Sequence, residues 1–224
     1  PVATFSAPSF FAFHHANAYE DGEQVVMDMC AYTDMSLMTD PHSFGYLNVV
    51  RNETAREEAS PRPWLRRLRI DLSSKGGAAE VQDLPAVDAQ GTEYFFDFPK
   101  VNPTRDGKPY CFVYGTAFRA TGSSATVKMD VCASARSSAP GSPPASALVW
   151  DSAGLIGAEP IFVPRPGADT NHEDDGVLLV QAFNVKTQLS DLIVLNATTM
   201  EVVAHADGVM RVPFDLHGEF VEHV

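Results

Sequence analysis

The sequence predicts an all-β fold that is built from short strands separated by turns. Apolar and polar residues alternate with the period of two that is typical of strands, and Gly, Asp and Asn recur between the alternating runs. The pattern is clearest over residues 160–206, where four strands follow one another. A four-stranded meander is one blade of a β-propeller, and it also occurs in sandwiches and barrels.

The first predicted element is a hairpin over residues 9–32, which turns at Asp21-Gly22. Further strands are predicted over residues 64–72, 94–99, 110–121, 126–132, 160–164, 176–184, 191–196 and 201–206. Residues 33–63 contain a charged stretch and are predicted to be an insertion with a short helix. Residues 133–147 are rich in Ser, Pro and Ala and predict a flexible surface loop. Because the β pattern continues on both sides of these segments, one domain is expected.

An internal similarity favours the propeller over the other β architectures. The segments at 17–22 and 171–176 share an Asn, an acidic pair and a Gly at equal offsets, and each precedes an apolar strand. Their separation corresponds to about three units of a roughly 50-residue blade period.

Composition and charge restrict the class of partner. The 224-residue chain carries a net charge of −13, which makes nucleic acid an unfavourable partner. The three cysteines, Cys30, Cys111 and Cys132, lack CxxC spacing and are odd in number. They predict no disulfide framework and favour a reducing compartment, cytoplasm or plastid, over secretion.

Residues 11–22 contain the strongest candidate metal ligand, in a tandem His14-His15 pair. Neighbouring side chains on a strand point to opposite faces, so only one of the pair can point at a given site. His14 shares its face with the small Ala12 and Ala16, which favours His14. The alternative is a strand that carries two histidines without a ligand role.

Other catalytic signatures are absent from the sequence: it has no phosphate-binding Gly-rich loop, no GxSxG elbow and no HExxH. None of the seven histidines is paired at the i, i+4 spacing of a helix. A metal site therefore needs ligands from separate strands, and the inner strands of a propeller converge on one axis.

Four motifs, taken together, resemble those of the carotenoid cleavage oxygenase family, which includes the retinal-pigment isomerohydrolase branch. They are Phe-His-His-Ala-Asn-Ala-Tyr-Glu at 13–20, Phe-Asp-Phe-Pro-Lys-Val-Asn at 96–102, Glu-Pro-Ile-Phe-Val-Pro at 159–164 with Glu-Asp-Asp-Gly at 173–176, and Val-Pro-Phe-Asp-Leu-His-Gly-Glu-Phe at 212–220. Gly-Lys-Pro-Tyr at 107–110 also fits. Their order and spacing match the C-terminal part of that family.

The resemblance implies the C-terminal blades of a seven-bladed β-propeller with loop insertions, and residues 1–224 are then a partial propeller domain of a longer oxygenase. It also implies a non-haem Fe(II) ion held by four histidines, of which His14 and His217 match two. The other two ligands are expected on N-terminal blades outside this chain. The remaining histidines match no ligand motif and are predicted to be structural or surface residues: His15, His42, His172, His205 and His223.

The resemblance further implies carboxylates that accept a hydrogen bond from the second ring nitrogen of each ligand. Asp97 is expected to serve His14 and Glu173 to orient His217. The family usually carries Glu where Asp97 stands. Since Asp is one methylene shorter, its reach requires a backbone shift or a bridging water. A second departure is Asp215, where the family usually carries Gly.

The implied function is an Fe(II)-dependent dioxygenase that uses O2 to split a C=C bond of a carotenoid or apocarotenoid into two carbonyl products. The expected partner is a hydrophobic polyene, with peripheral membrane association through loops, and no catalytic residue is expected beyond the metal centre. Three alternatives stay open: a retinoid isomerohydrolase, a stilbene-cleaving oxygenase, and a non-catalytic propeller module, which Asp97 and Asp215 favour.

Overall fold

A computed structural model of the chain describes residues 3–39, 62–118, 124–136, 147–152, 154–169, 171–184, 186–212 and 216–222. The strands are β1 (Phe5–Ser6), β2 (Phe11–Asp21), β3 (Gln24–Tyr32), β4 (Trp64–Asp71), β5 (Gly77–Ala78), β6 (Glu80–Leu84), β7 (Ala86–Val87), β8 (Glu93–Tyr94), β9 (Asp97–Lys100), β10 (Phe112–Phe118), β11 (Ser124–Asp130), β12 (Ala147–Asp151), β13 (Ile156–Gly157), β14 (Ile161–Pro164), β15 (Gly176–Asn184), β16 (Leu189–Asn196) and β17 (Val202–Met210). The helices are α1 (Ser36–Thr39), α2 (Val131–Arg136) and a 3₁₀ turn at Pro103–Arg105.

Three antiparallel sheets form successive blades. The first blade has the order β2-β3-β4-β6, the second β9-β10-β11-β12, and the third β14-β15-β16-β17 with β13 also paired to β15. In each blade the strands follow chain order, so each is a meander. The described residues also form two short pairs, β1 with β5 and β7 with β8. The predicted hairpin and the predicted four-strand meander are both confirmed.

Helix α2 corrects one sequence expectation. The sequence predicted a strand to residue 132 and a loop from residue 133, whereas β11 ends at Asp130 and residues 131–136 are helical. The Asp130 carboxylate accepts a hydrogen bond from the Ala133 amide at 2.8 Å, which caps the helix start. Residues 137–146 of the predicted loop and residues 40–61 of the predicted insertion lie outside the described residues, and the last residue of the predicted loop, Ala147, begins β12. Neither α-helix among the described residues has the length and apolar character of a membrane span.

The hydrophobic cores lie between neighbouring blades. Leu65 and Leu84 of the first blade pack with Val113 and Val127 of the second, and all four are at most 1% exposed. A second cluster joins the second blade to the third through residues that include Tyr114, Phe162, Leu178, Val180 and Ile193. Burial of each such side chain contributes about 1.5–3 kcal/mol, so the blades hold one another in place.

The cysteine-based prediction is wrong for one pair. Cys111 and Cys132 form a disulfide with their Cα atoms 4.9 Å apart, and Cys30 is free and buried. The β10–β11 hairpin explains the pairing, because Phe112 stands opposite Asp130 and the two cysteines flank that last pair. The spacing of Cys111 and Cys132 in the sequence does not show that they are close, because the register of the β10–β11 hairpin brings them together. The cysteines therefore give no support for a reducing compartment.

A buried ion pair lies inside the first blade. The Arg67 guanidinium donates two hydrogen bonds to the Asp28 carboxylate, at 2.8 and 2.7 Å, and the Tyr110 hydroxyl donates a third at 2.5 Å. Burial alone would lower the pKa of Arg67, but the bonds to Asp28 more than offset this and raise it. The two side chains are almost completely removed from water.

We expect Asp28→Ala to lower the free energy of unfolding by about 3–5 kcal/mol, because it leaves a buried guanidinium without its partner. Asp83→Ala is the matched control. It removes a similar two-point contact to Arg66, but the Asp83 side chain is 48% exposed. Its expected cost is below about 1 kcal/mol. Urea unfolding of the two variants measures the difference, and equal costs would contradict this account.

Candidate metal centre

The structure brings together two histidines from opposite ends of the chain. His14 lies in β2 of the first blade, and His217 lies in the segment that follows β17. Their Nε2 atoms are 3.3 Å apart, and their ring centroids are 5.0 Å apart. The fold thus brings the Nε2 atoms of the two rings next to each other.

Each ring presents its other nitrogen to a carboxylate. His14 Nδ1 lies 2.8 Å from Asp97 Oδ1, and His217 Nδ1 lies 3.1 Å from Glu159 Oε1. A carboxylate accepts hydrogen bonds, so each Nδ1 is placed to donate a proton to its carboxylate, and the two Nε2 atoms face each other. With both protons on Nδ1, the two Nε2 lone pairs can bind one cation.

These nitrogens fit a shared metal ion. Imidazole nitrogens bind an ion such as zinc at roughly 2.0–2.1 Å, so two nitrogens on one ion lie within about 4.2 Å of each other. The observed 3.3 Å satisfies that limit. A carboxylate behind each ligating imidazole is the usual arrangement at protein metal sites, because it fixes the ring and raises its basicity.

Two β-bulges position His14. The β2–β3 register shifts between Ala12 and His15 and again between His15 and Asn17, so simple alternation of side chains does not hold across the tandem pair. Bulges commonly re-aim a side chain beside a functional site. The result is that His14 points at His217, whereas His15 is exposed.

A third irregularity accounts for the reach of Asp97. Thr116 of β10 pairs with Asp97 and Tyr114 pairs with Lys100, so β9 carries one extra residue. The extra residue brings Phe98 to φ 55°, a conformation that bulky residues rarely adopt, and its amide donates to Asp97 Oδ1 at 2.9 Å. The Asp97 carboxylate thus contacts His14 directly, and the irregularity in β9 lies at the same position.

The second oxygen of Asp97 is also occupied. The Tyr32 hydroxyl donates to Asp97 Oδ2 at 2.5 Å, and both side chains are buried. Burial, followed by the charge of Asp97, raises the pKa of Tyr32, so the phenol is protonated and can donate. Sequence reasoning missed Tyr32, because no motif links the end of β3 to the start of β9.

The expected contact between Glu173 and His217 is corrected. The Glu173 carboxylate accepts hydrogen bonds from the Cys111 and Phe112 amides at 2.8–3.0 Å, and its backbone oxygen accepts from Asn102. Burial is the main effect on Glu173 and raises its pKa. Glu173 therefore fastens the turn before β15 to the start of β10.

Glu159 takes the place beside His217 because of its position in the blade. Asp97 opens β9, the first strand of the second blade, and Glu159 stands just before β14, the corresponding strand of the third. Its second oxygen accepts from the Gly218 amide at 3.1 Å and lies 3.3 Å from Lys100 Nζ. An acidic residue thus recurs at the start of the first strand of the second blade and just before the first strand of the third. This repeat was not used in predicting the site from the sequence.

The surroundings of the histidine pair combine an aromatic wall with an open cleft. The Phe98 ring centroid lies 4.8 Å from that of His14 and 5.9 Å from that of His217. A cleft of about 1240 Å³ adjoins His217 and is also lined by Lys100, Phe162 and Phe220. A ligand can approach His217 from this side.

A second group of potential ligands lies on β16 and β17 of the third blade. Asp191, His205 and Asp207 place one ligand atom each within 4.8 Å of one another. His205 Nε2 lies 3.2 Å from Asp191 and 3.0 Å from Asp207, so these groups already contact one another. This group is distinct from the histidine pair.

The other predicted residues are placed as follows. His172 is exposed and lies 3.6 Å from Asp169, which agrees with its predicted surface position. His42, His223 and Asp215 lie outside the described residues, so the expectations for them stay predictions.

Comparisons with known proteins identify relatives over nearly the whole chain. The family model for the retinal pigment epithelial membrane protein matches residues 2–222. The torulene dioxygenase of Fusarium fujikuroi is 28% identical over 97% of this chain and 39% of its own length. The human beta,beta-carotene 15,15'-dioxygenase is 30% identical over 99% and 41%.

Solved structures agree with this result. The cobalt-substituted apocarotenoid oxygenase of Synechocystis superposes with a TM-score of 0.69 at 26% identity, covering 95% of this chain and 40% of that one. The chain spans about two fifths of the length of these relatives. The predicted fold class, blades of a seven-bladed β-propeller, is confirmed.

Proposed function

The chain belongs to the family of the retinal pigment epithelial membrane protein, and we propose that it is part of a non-haem Fe(II)-dependent dioxygenase that cleaves a C=C bond of a carotenoid or apocarotenoid. One observation carries the proposal: two imidazole Nε2 atoms meet at 3.3 Å while each ring rests on a carboxylate through Nδ1. The names of the relatives, carotenoid dioxygenases and an apocarotenoid oxygenase, supply the substrate class.

In this proposal His14 and His217 are two of the iron ligands. Two further histidines are required from a part of the protein outside this chain, and residues 1–224 are then one part of a single propeller domain. Imidazole is a suitable ligand for iron. When bound, Fe(II) with neutral ligands supplies a site that binds and activates O2, whose two atoms end in the two carbonyl products.

The chain's own residues position and shield that site. Asp97 and Glu159 fix the two rings with their lone pairs convergent, and Phe98 presents an apolar face beside both. Cleavage of a polyene by O2 needs no nucleophilic side chain and no general base.

The test starts from the protein as its source makes it. Its intact mass is compared with the 24.3 kDa of this chain, and its iron content is measured. The protein is then incubated with a C40 carotenoid and with a shorter apocarotenal under ¹⁸O2, and carbonyl products are identified by mass. We expect one iron per protein and two labelled carbonyl products whose carbon atoms add up to the substrate.

Three controls make the assay decisive. Removal of iron by a chelator or exclusion of O2 is expected to stop cleavage, and restored Fe(II) is expected to recover it. A protein that contains no iron as isolated, binds the polyene and does not cleave it after Fe(II) is added would favour a non-catalytic binding module. A cis product without O2 incorporation would favour an isomerohydrolase.

A further inference from the structure

We propose that Tyr32 is a positioning residue for the metal centre, which holds Asp97 in place so that His14 presents Nε2 to the ion. The inference rests on the proposed function, because it takes His14 as a metal ligand. It adds a residue of β3 to a site whose other groups come from β2, the starts of β9 and β14, and the C-terminal segment.

The contacts form a continuous path from Tyr32 to the metal position. The Tyr32 hydroxyl donates to one oxygen of Asp97, and the other oxygen accepts from His14 Nδ1 and from the Phe98 amide. Asp97 is only 3% exposed. Because both of its oxygens are fixed by donors on different elements, the carboxylate plane cannot turn without breaking one of these bonds.

The Tyr32 ring is itself held in place. Its centroid lies 6.0 Å from that of Phe11 and 5.8 Å from that of Phe13, the latter edge-on, and Tyr32 is 8% exposed. Both phenylalanines belong to β2, the strand that carries His14. The strand that carries His14 therefore also holds the Tyr32 ring in place, through Phe11 and Phe13.

The length of Asp97 explains why such a partner is needed. An aspartate has one methylene fewer than glutamate, so its carboxylate lies closer to the backbone, and here one of its oxygens contacts His14 Nδ1 at 2.8 Å. The bulge at Phe98 supplies the reach, and Tyr32 supplies the orientation. Cys30, which is fully buried, also faces this carboxylate. A thiol is a weak donor and cannot replace the phenol.

The test measures Co²⁺ binding in the protein as its source makes it, with the metal removed and Co²⁺ then titrated while visible absorption is recorded. Tyr32→Phe removes only the hydroxyl and is expected to weaken Co²⁺ binding about tenfold and to change the absorption bands. Asp97→Asn is expected to weaken binding about 10- to 100-fold. If the hydroxyl acts through the carboxylate, adding Tyr32→Phe to Asp97→Asn changes binding by less than about twofold.

Tyr110→Phe is the matched control, because the Tyr110 hydroxyl also donates to a buried aspartate at 2.5 Å, but that aspartate is Asp28 in the ion pair of the first blade. It is expected to lower thermal stability and to leave Co²⁺ affinity and absorption unchanged. The proposal is overturned if Tyr32→Phe binds Co²⁺ like the wild type, if its effect multiplies fully with that of Asp97→Asn, or if Tyr110→Phe weakens binding equally. A wild-type protein that binds no Co²⁺ would overturn the metal site itself.

Discussion

Replacing His14 by alanine is expected to abolish iron binding and turnover while leaving the fold intact. Loss of a carboxylate behind a metal ligand costs about 10- to 100-fold in affinity, and loss of the ligand itself costs more than about 100-fold. The fold should tolerate the change. The freed Asp97 carboxylate keeps its bonds from the Tyr32 hydroxyl and the Phe98 amide. Iron content, cleavage rate and circular dichroism of the variant measure the three effects.

His15→Ala is the matched control for this experiment. His15 is the next residue on the same strand, but its side chain is exposed, whereas His14 Nε2 faces His217. The control is expected to retain iron and turnover within about twofold of the wild type. Iron bound normally by His14→Ala would remove His14 from the metal centre, and loss of iron from both variants would point to damage to β2 as a whole.

Most of the strand pattern could be predicted because it depends on local chemistry. Turn residues such as Asp21-Gly22 end one strand and start the next, and Gly22 has the positive φ of 62° that such a turn uses. The meander over β14–β17 follows from the same local signals. His14 and His217 were identified because each stands in a motif of several residues.

The rest depends on register and on contacts between blades, which no local pattern encodes. The bulges around His15 and at Phe98 are differences of one residue between paired strands, and they are visible only when both partners are known. The Cys111–Cys132 pair depends on the register of one hairpin. The choice of Glu159 over Glu173 depends on where the third blade approaches the C-terminal segment.

Glu159→Gln is expected to weaken metal binding about 10- to 100-fold. The reason is that a neutral side-chain amide cannot replace the charged carboxylate that accepts the hydrogen bond from His217 Nδ1. The carboxylate serves two donors at once, with one oxygen near His217 Nδ1 and the other accepting from the Gly218 amide. Glutamine has a single acceptor oxygen, so one of these donors must lose its partner. The loss of charge also lowers the basicity of the His217 ring. Co²⁺ titration and cleavage rates measure the effect.

Glu173→Gln is the comparison that separates the two carboxylates. Glu173 is also buried, but it accepts from the Cys111 and Phe112 amides, which belong to the framework of the second blade. Its substitution is expected to lower the free energy of unfolding by about 1–3 kcal/mol and to leave the affinity for Co²⁺ unchanged. The opposite pattern, with weak metal binding in Glu173→Gln and normal binding in Glu159→Gln, would restore the assignment that the sequence motifs first suggested.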